Sequence, residues 1–150
     1  MKDMIKLLDP NLKYESHEIV GEEIRIRVNS RRKTLNCPYC GEKSKKVHSV
    51  YGRTIQDLPI SGKKVYIEIT NRKMFCSNAK CSRKTFAEKY AFVGAKGKKS
   101  LRLEKEIINI ARSSSSTEAA RMLNRSTVKI SSGTIRNLLK KMEAPQSDES

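Results

Sequence analysis

The 150-residue sequence predicts an α+β fold, with a β-rich domain followed by a small three-helix domain. Three observations carry this expectation. Strict apolar/polar alternation marks strands within the first 92 residues, four cysteines lie among them in two close pairs, and beyond Ala95 the apolar residues recur at helical spacing.

The first alternating run is Ile24-Arg25-Ile26-Arg27-Val28, preceded by Glu18-Ile19-Val20 and the turn signal Gly21-Glu22-Glu23. Residues 1–33 therefore read as a β-hairpin region leading into the first cysteine loop. Two more strands are expected at 46–51 and 53–60, then a Ser61-Gly62 turn and an alternating strand at 65–70 whose continuation delivers Phe75 and Cys76.

The cysteines are Cys37 and Cys40 in Cys-Pro-Tyr-Cys-Gly, and Cys76 and Cys81 with four residues between them. Both spacings let two thiolates of one loop share an edge of a metal tetrahedron, so the cysteines make one closed structural zinc site. Competing uses are a disulfide, a redox dithiol and an iron–sulfur cluster. The first ten residues are too polar for a signal-peptide core, and the lysine-rich composition points to a cytoplasmic, nucleoid-associated protein, where disulfides are rare. A redox dithiol leaves the second pair unexplained. The 35 residues between the pairs exceed the spacing of a ββα finger, so residues 34–92 are expected to form a zinc-ribbon-like, four-cysteine domain closed by strands.

The net charge is +16, unevenly spread. Residues 1–30 carry 5 basic and 6 acidic side chains, 31–105 carry 20 and 5, and 106–150 carry 7 and 5. Charge of this density around the cysteines suits a polyphosphate partner, because lysine and arginine near phosphates release condensed counterions. A four-thiolate zinc centre has a formal charge of about −2 and accounts for only a small part of it. No basic amphipathic helix and no long apolar run suggests a membrane. Nucleic acid is favoured over a merely solvated basic surface. The phosphate-contact candidates are Arg53, Lys63, Lys64, Arg72 and Lys73.

Residues 93–100 read as a basic, glycine-containing linker, and 101–143 as three short helices. Leu103, Ile107, Ile110 and Ala111 mark the first. Ser115 is the expected N-cap of the second, with Glu118 at the third position of a capping box. Ser131 or Ser132 caps the third, whose apolar stripe is Ile135, Leu138, Leu139 and Met142. Its other face holds Thr134, Arg136, Asn137, Lys140 and Lys141. Such a unit reads as a DNA-binding helix-turn-helix domain, in which Arg136 and Asn137 are the base-reading candidates. The alternative is a small amphipathic bundle with a solvated charged face, and the stretch 124–130 is longer than the usual turn of the motif. Residues 144–150 read as a disordered tail.

His48 lies between the cysteine pairs, where a structural or phosphate-facing role is favoured over metal ligation, and His17 lies in no motif. Phe75, Phe86, Tyr66 and Tyr90 are read as core residues in preference to base-stacking platforms.

Cys37-Pro38-x-Cys40-Gly41, His48, Arg53, Asp57-Leu58-Pro59, Gly62, Val65, Arg72, Phe75-Cys76, Cys81 and Phe86-Ala87-Glu88 together resemble the zinc-finger region of the ISL-three family of insertion-sequence transposases. Residues 117–141 are similar to the helix-turn-helix segment that follows in that family. The resemblance implies binding to duplex DNA at the terminal inverted repeats of a mobile element, with a catalytic transposase chain or a second copy as further partners. In the family an RNase H-like domain follows, where three carboxylates hold two metal ions. This sequence has four aspartates, Asp3, Asp9, Asp57 and Asp148, and Asp57 is read as a turn residue or an arginine partner. No catalytic residue is assigned, and the chain is expected to be a truncated frame, a fragment or a module used alone. The other function classes are a zinc-ribbon, ribosome-associated RNA-binding protein and a scaffold that recruits a protein.

Overall fold

The computed structural model describes residues 1–112, 115–125 and 131–143. Helix α1 (Lys2–Leu8) leads into the hairpin of β1 (Leu12–Val20) and β2 (Glu23–Ser30), then the short strands β3 (Leu35–Asn36) and β4 (Lys43–Ser44). The long strands β5 (Val47–Ile60) and β6 (Lys63–Phe75) follow, then β7 (Thr85–Ala87), α2 (Leu101–Arg112), α3 (Ser116–Arg125) and α4 (Ser132–Glu143). The fold is thus mixed α and β.

The main sheet has the order β1-β2-β6-β5, with β7 on the end of β6, while β3 and β4 pair separately. Its alternation does what the sequence promised: Ile24, Ile26 and Val28 of β2 lie beside Val65, Ile67 and Ile69 of β6 and are all buried. Ile5 of α1 and Leu12, Tyr90, Phe92 and Val93 close this core. Helix α1 was not expected from the sequence. Ile5 is its one buried residue, and a single apolar contact leaves no periodic signal to read.

The β2–β6 pairing is parallel, so it joins the N-terminal hairpin to the strand that leads into Cys76 in one sheet, across the division drawn at residue 33. Strand β5 was expected as two pieces separated by Gly52. It runs through that glycine unbroken, paired with β6 from Val47 to Ile60. Residues 93–100 likewise belong to the fold: Val93 and Ser100 are buried, and Gln56 N–H donates to Lys98 O while Ser100 N–H donates to Gln56 O.

The three expected helices pack around Leu103, Ile107, Ala111, Ala119, Ala120 and Ile135, with Leu138 and Leu139 against them. The caps follow the sequence, since Glu118 N–H donates to Ser115 Oγ and Thr134 N–H to Ser131 Oγ, each at 3.1 Å. The connection 126–130, the tail 144–150 and the Met142 side chain lie outside the described residues. Leu58 of β5 touches the helical core. Beside it, buried Asp57 accepts Ser100 Oγ at 2.6 Å, Arg102 Nε at 2.9 Å and Arg102 Nη2 at 2.5 Å, which fastens the start of α2 to the sheet.

Candidate metal centre and basic surface

Cys37 and Cys40 occupy the turn between β3 and β4. Cys37 N–H donates to Glu42 O, and Gly41 N–H donates to Cys37 O at 2.7 Å. Gly41 adopts φ +80°, a conformation that costs a side-chain-bearing residue, and this bends the chain back beneath the two sulfurs. Cys76 and Cys81 occupy the loop from β6 to β7, where Asn78 O accepts Cys81 N–H and Lys84 O accepts Cys76 N–H. Leu35, Met74 and Phe86 form the small apolar floor of the centre together with Cys37.

The four sulfurs lie within 4.8 Å of one another, with Cys37–Cys81 at 3.8 Å and Cys40–Cys76 at 3.5 Å. A tetrahedral zinc ion with Zn–S bonds of about 2.3 Å needs sulfur–sulfur edges of about 3.8 Å. The quartet therefore fits one structural zinc ion, held by all four thiolates with no open position. Among the described residues it is the only group of three or more His, Cys, Asp or Glu side chains close enough to hold a metal. His48 is not part of it; its ring meets Phe75 edge-on at 4.9 Å and its Nδ1 shares a hydrogen bond with Ser49.

Four thiols this close cannot all ionise without a cation between them. The Glu42 backbone N–H brings Cys40 down to about 7. The Asn78 backbone lowers Cys76, but burial and the neighbouring sulfurs outweigh it and push Cys76 up to about 12. Cys81 is likewise raised, against the lowering effect of the Arg83 backbone, by burial and its neighbours.

The other sequence-predicted residues divide into two sets. Arg53 and Arg72, expected at the phosphate surface, direct their guanidinium groups inward. Arg53 Nη2 donates to Gly94 O at 3.1 Å and Gly97 O at 2.8 Å. Arg72 grips the buried carboxylate of Glu88 at 2.9 and 3.0 Å and reaches Arg32 O. Lys63 lies at the β5–β6 turn, where its ammonium donates to Gly21 O and faces Glu22. Lys64 is half-buried beside it. Lys73 is exposed near the cysteines. On α4, Arg136, Asn137, Lys140 and Lys141 are exposed, Thr134 is half-buried against Ser131, and Lys141 reaches Glu104 at 3.8 Å. The lysines at 63 and 64 and the metal thus sit at opposite ends of β6. Phe86 and Tyr90 are buried in the core, while Phe75 and Tyr66 are half-buried under Lys46 and Arg25.

The sequence located dense charge around the cysteines but did not single out the residues that form an exposed collar in the segments flanking them. Lys33, Lys43, Lys45, Lys46, Lys80, Arg83, Lys84 and Lys89 are all exposed with Lys73, and Glu42 is the one exposed carboxylate in 31–46 and 72–89. The local charge run was the available signal.

A cysteine quartet between short strands, at the end of a longer sheet, is the arrangement of a zinc-ribbon domain. Residues 33–81, about a third of the chain, match the family described as the zinc-finger of transposase IS204/IS1001/IS1096/IS1165. No curated protein and no solved structure matches the chain. Among the described residues no helix is long and apolar enough to cross a membrane.

Proposed function

We propose that this chain is a duplex-DNA-binding module of insertion-sequence type, recognising the terminal inverted repeats of a mobile element. The observation that carries the reading is the collar of exposed cations around a zinc ribbon of the transposase kind. In this reading zinc holds the collar rigid, the lysines neutralise backbone phosphates, and α2, α3 and α4 act as a helix-turn-helix unit. Arg136 and Asn137 have planar groups that match guanine and adenine edges, and both are exposed on α4. Arg53 and Arg72 support the surface from behind without touching DNA. In this reading the described residues supply DNA binding.

Binding to inverted-repeat duplexes, measured against salt, tests the reading. Each neutralised phosphate contributes a slope of about −0.9. Arg136→Ala and Asn137→Ala are each expected to cost about 1–3 kcal/mol on the cognate repeat and to flatten the preference for it, whereas Lys84→Ala weakens cognate and random duplexes alike. Equal affinity for an unrelated RNA hairpin at the same salt would refute duplex recognition in favour of an RNA-binding ribbon.

A further inference from the structure

Gly52 sits in the middle of a fourteen-residue strand, exposed, and a β-carbon built on it would meet nothing within 4 Å. Its φ is not positive, so no turn or bulge demands glycine at this position. Glycine in a strand interior weakens the strand, and its positional use is to let a ligand or another backbone come close. Two hollows meet there. One, of about 210 Å³, lies on the open sheet face between Gly52, Thr54, Thr70 and Arg27. The other, of about 450 Å³, lies at the strand edge between Gly52, Thr54 and the loop of Lys96, Gly97 and Lys98. Both share Gly52, Arg53 and Thr54.

Their chemistry suits an anion. Gln56 pairs with 98–100 on the outer edge of β5, and the alternation that turns its amide outward turns those of Thr54 and Gly52 the same way. The Arg53 guanidinium lies inside, holding the carbonyls of Gly94 and Gly97 and hence the loop that presents exposed Lys96 and Lys98. Glu68 is the carboxylate at the far lip, and Arg25 at 3.1 Å and Arg27 at 3.6 Å flank it. Position adds a further argument. Gly52 is five residues from Val47 at the metal end and five from Asp57, where the helices dock, a total run of about 33 Å along the strand at about 3.3 Å per residue. A nucleic-acid backbone running along this edge from the metal end to the helices would cross the groove.

We infer that the Gly52 groove seats the phosphodiester backbone of the bound nucleic acid, with the outward amides of Gly52 and Thr54 and the ammonium groups of Lys96 and Lys98 as donors. This rests on the duplex-DNA reading. Gly52→Val in the zinc-loaded full chain provides the test, because valine favours a strand and removes no charge. Its melting temperature is expected to stay level or rise, while affinity for any duplex falls about tenfold and the salt slope drops by about one. Lys96→Ala with Lys98→Ala, two exposed side chains, is expected to lower the slope by about two and serves if the valine variant does not fold. Wild-type binding that survives both changes intact overturns the groove alone. A wild type that ignores duplex DNA overturns the functional reading and this inference with it.

Discussion

Asp57→Ala tests whether the sheet and the helices form one cooperative unit. Asp57 is 3% exposed, and its carboxylate accepts one hydrogen bond from Ser100 and two from Arg102. Ser100 is fully buried, and its hydroxyl also receives Leu103 N–H at 3.2 Å, so it caps α2. Removing the carboxylate leaves the proton of that buried hydroxyl without its acceptor, at about 1–3 kcal/mol. The Arg102 side chain is 44% exposed, so water takes over most of its interaction and the lost pair adds only about 1 kcal/mol. The expected total is about 2–4 kcal/mol, or roughly 5–15 °C in melting temperature for a chain of this size. Urea denaturation of the zinc-loaded chain, followed by far-ultraviolet circular dichroism, measures it. Division of one transition into two, with the helical signal lost first, is the mark of uncoupling. A variant within about 0.5 kcal/mol of wild type refutes the latch, because surface substitutions change stability by that much with no mechanism at all.

Two other outcomes follow from titratable groups. Because Cys76 and Cys81 are held protonated without metal, zinc loading at pH 7 should release at least about two protons per ion, and affinity should fall on acidification. Proton release in weakly buffered titration calorimetry checks this, and zinc uptake without proton release contradicts the thiolate quartet. Glu88 is pushed up by burial, yet hydrogen bonds from Arg72 and Ser30 outweigh this and hold it below its ordinary value. Its contribution is therefore present above the unfolded carboxyl value of 4.5 and disappears as pH falls through the lower folded value. Glu88→Gln should destabilise the chain near neutrality and flatten the acid limb of its stability profile; an unchanged limb would place the acid sensitivity elsewhere.

Local chemistry was legible where neighbours in sequence are neighbours in space. Alternation at 24–28 and 65–70 identified strands and their buried faces, Ser115 and the pair Ser131 and Ser132 identified caps, and the two cysteine spacings identified two pairs of metal ligands, because each property depends on residues a few positions apart. Tertiary structure alone decided the rest. The parallel pairing of β2 with β6 brings together residues about forty positions apart, and no local period encodes a partner at that range. The same holds for the arginines. Arg53 and Arg72 have the composition of phosphate ligands, and only the fold, by placing Gly94, Gly97 and Glu88 within reach, turned them inward and left surface lysines to face solvent. Gly52 reads as a strand break in one dimension and becomes the floor of a groove in three, since its meaning lies in the space around it and not in its neighbours along the chain.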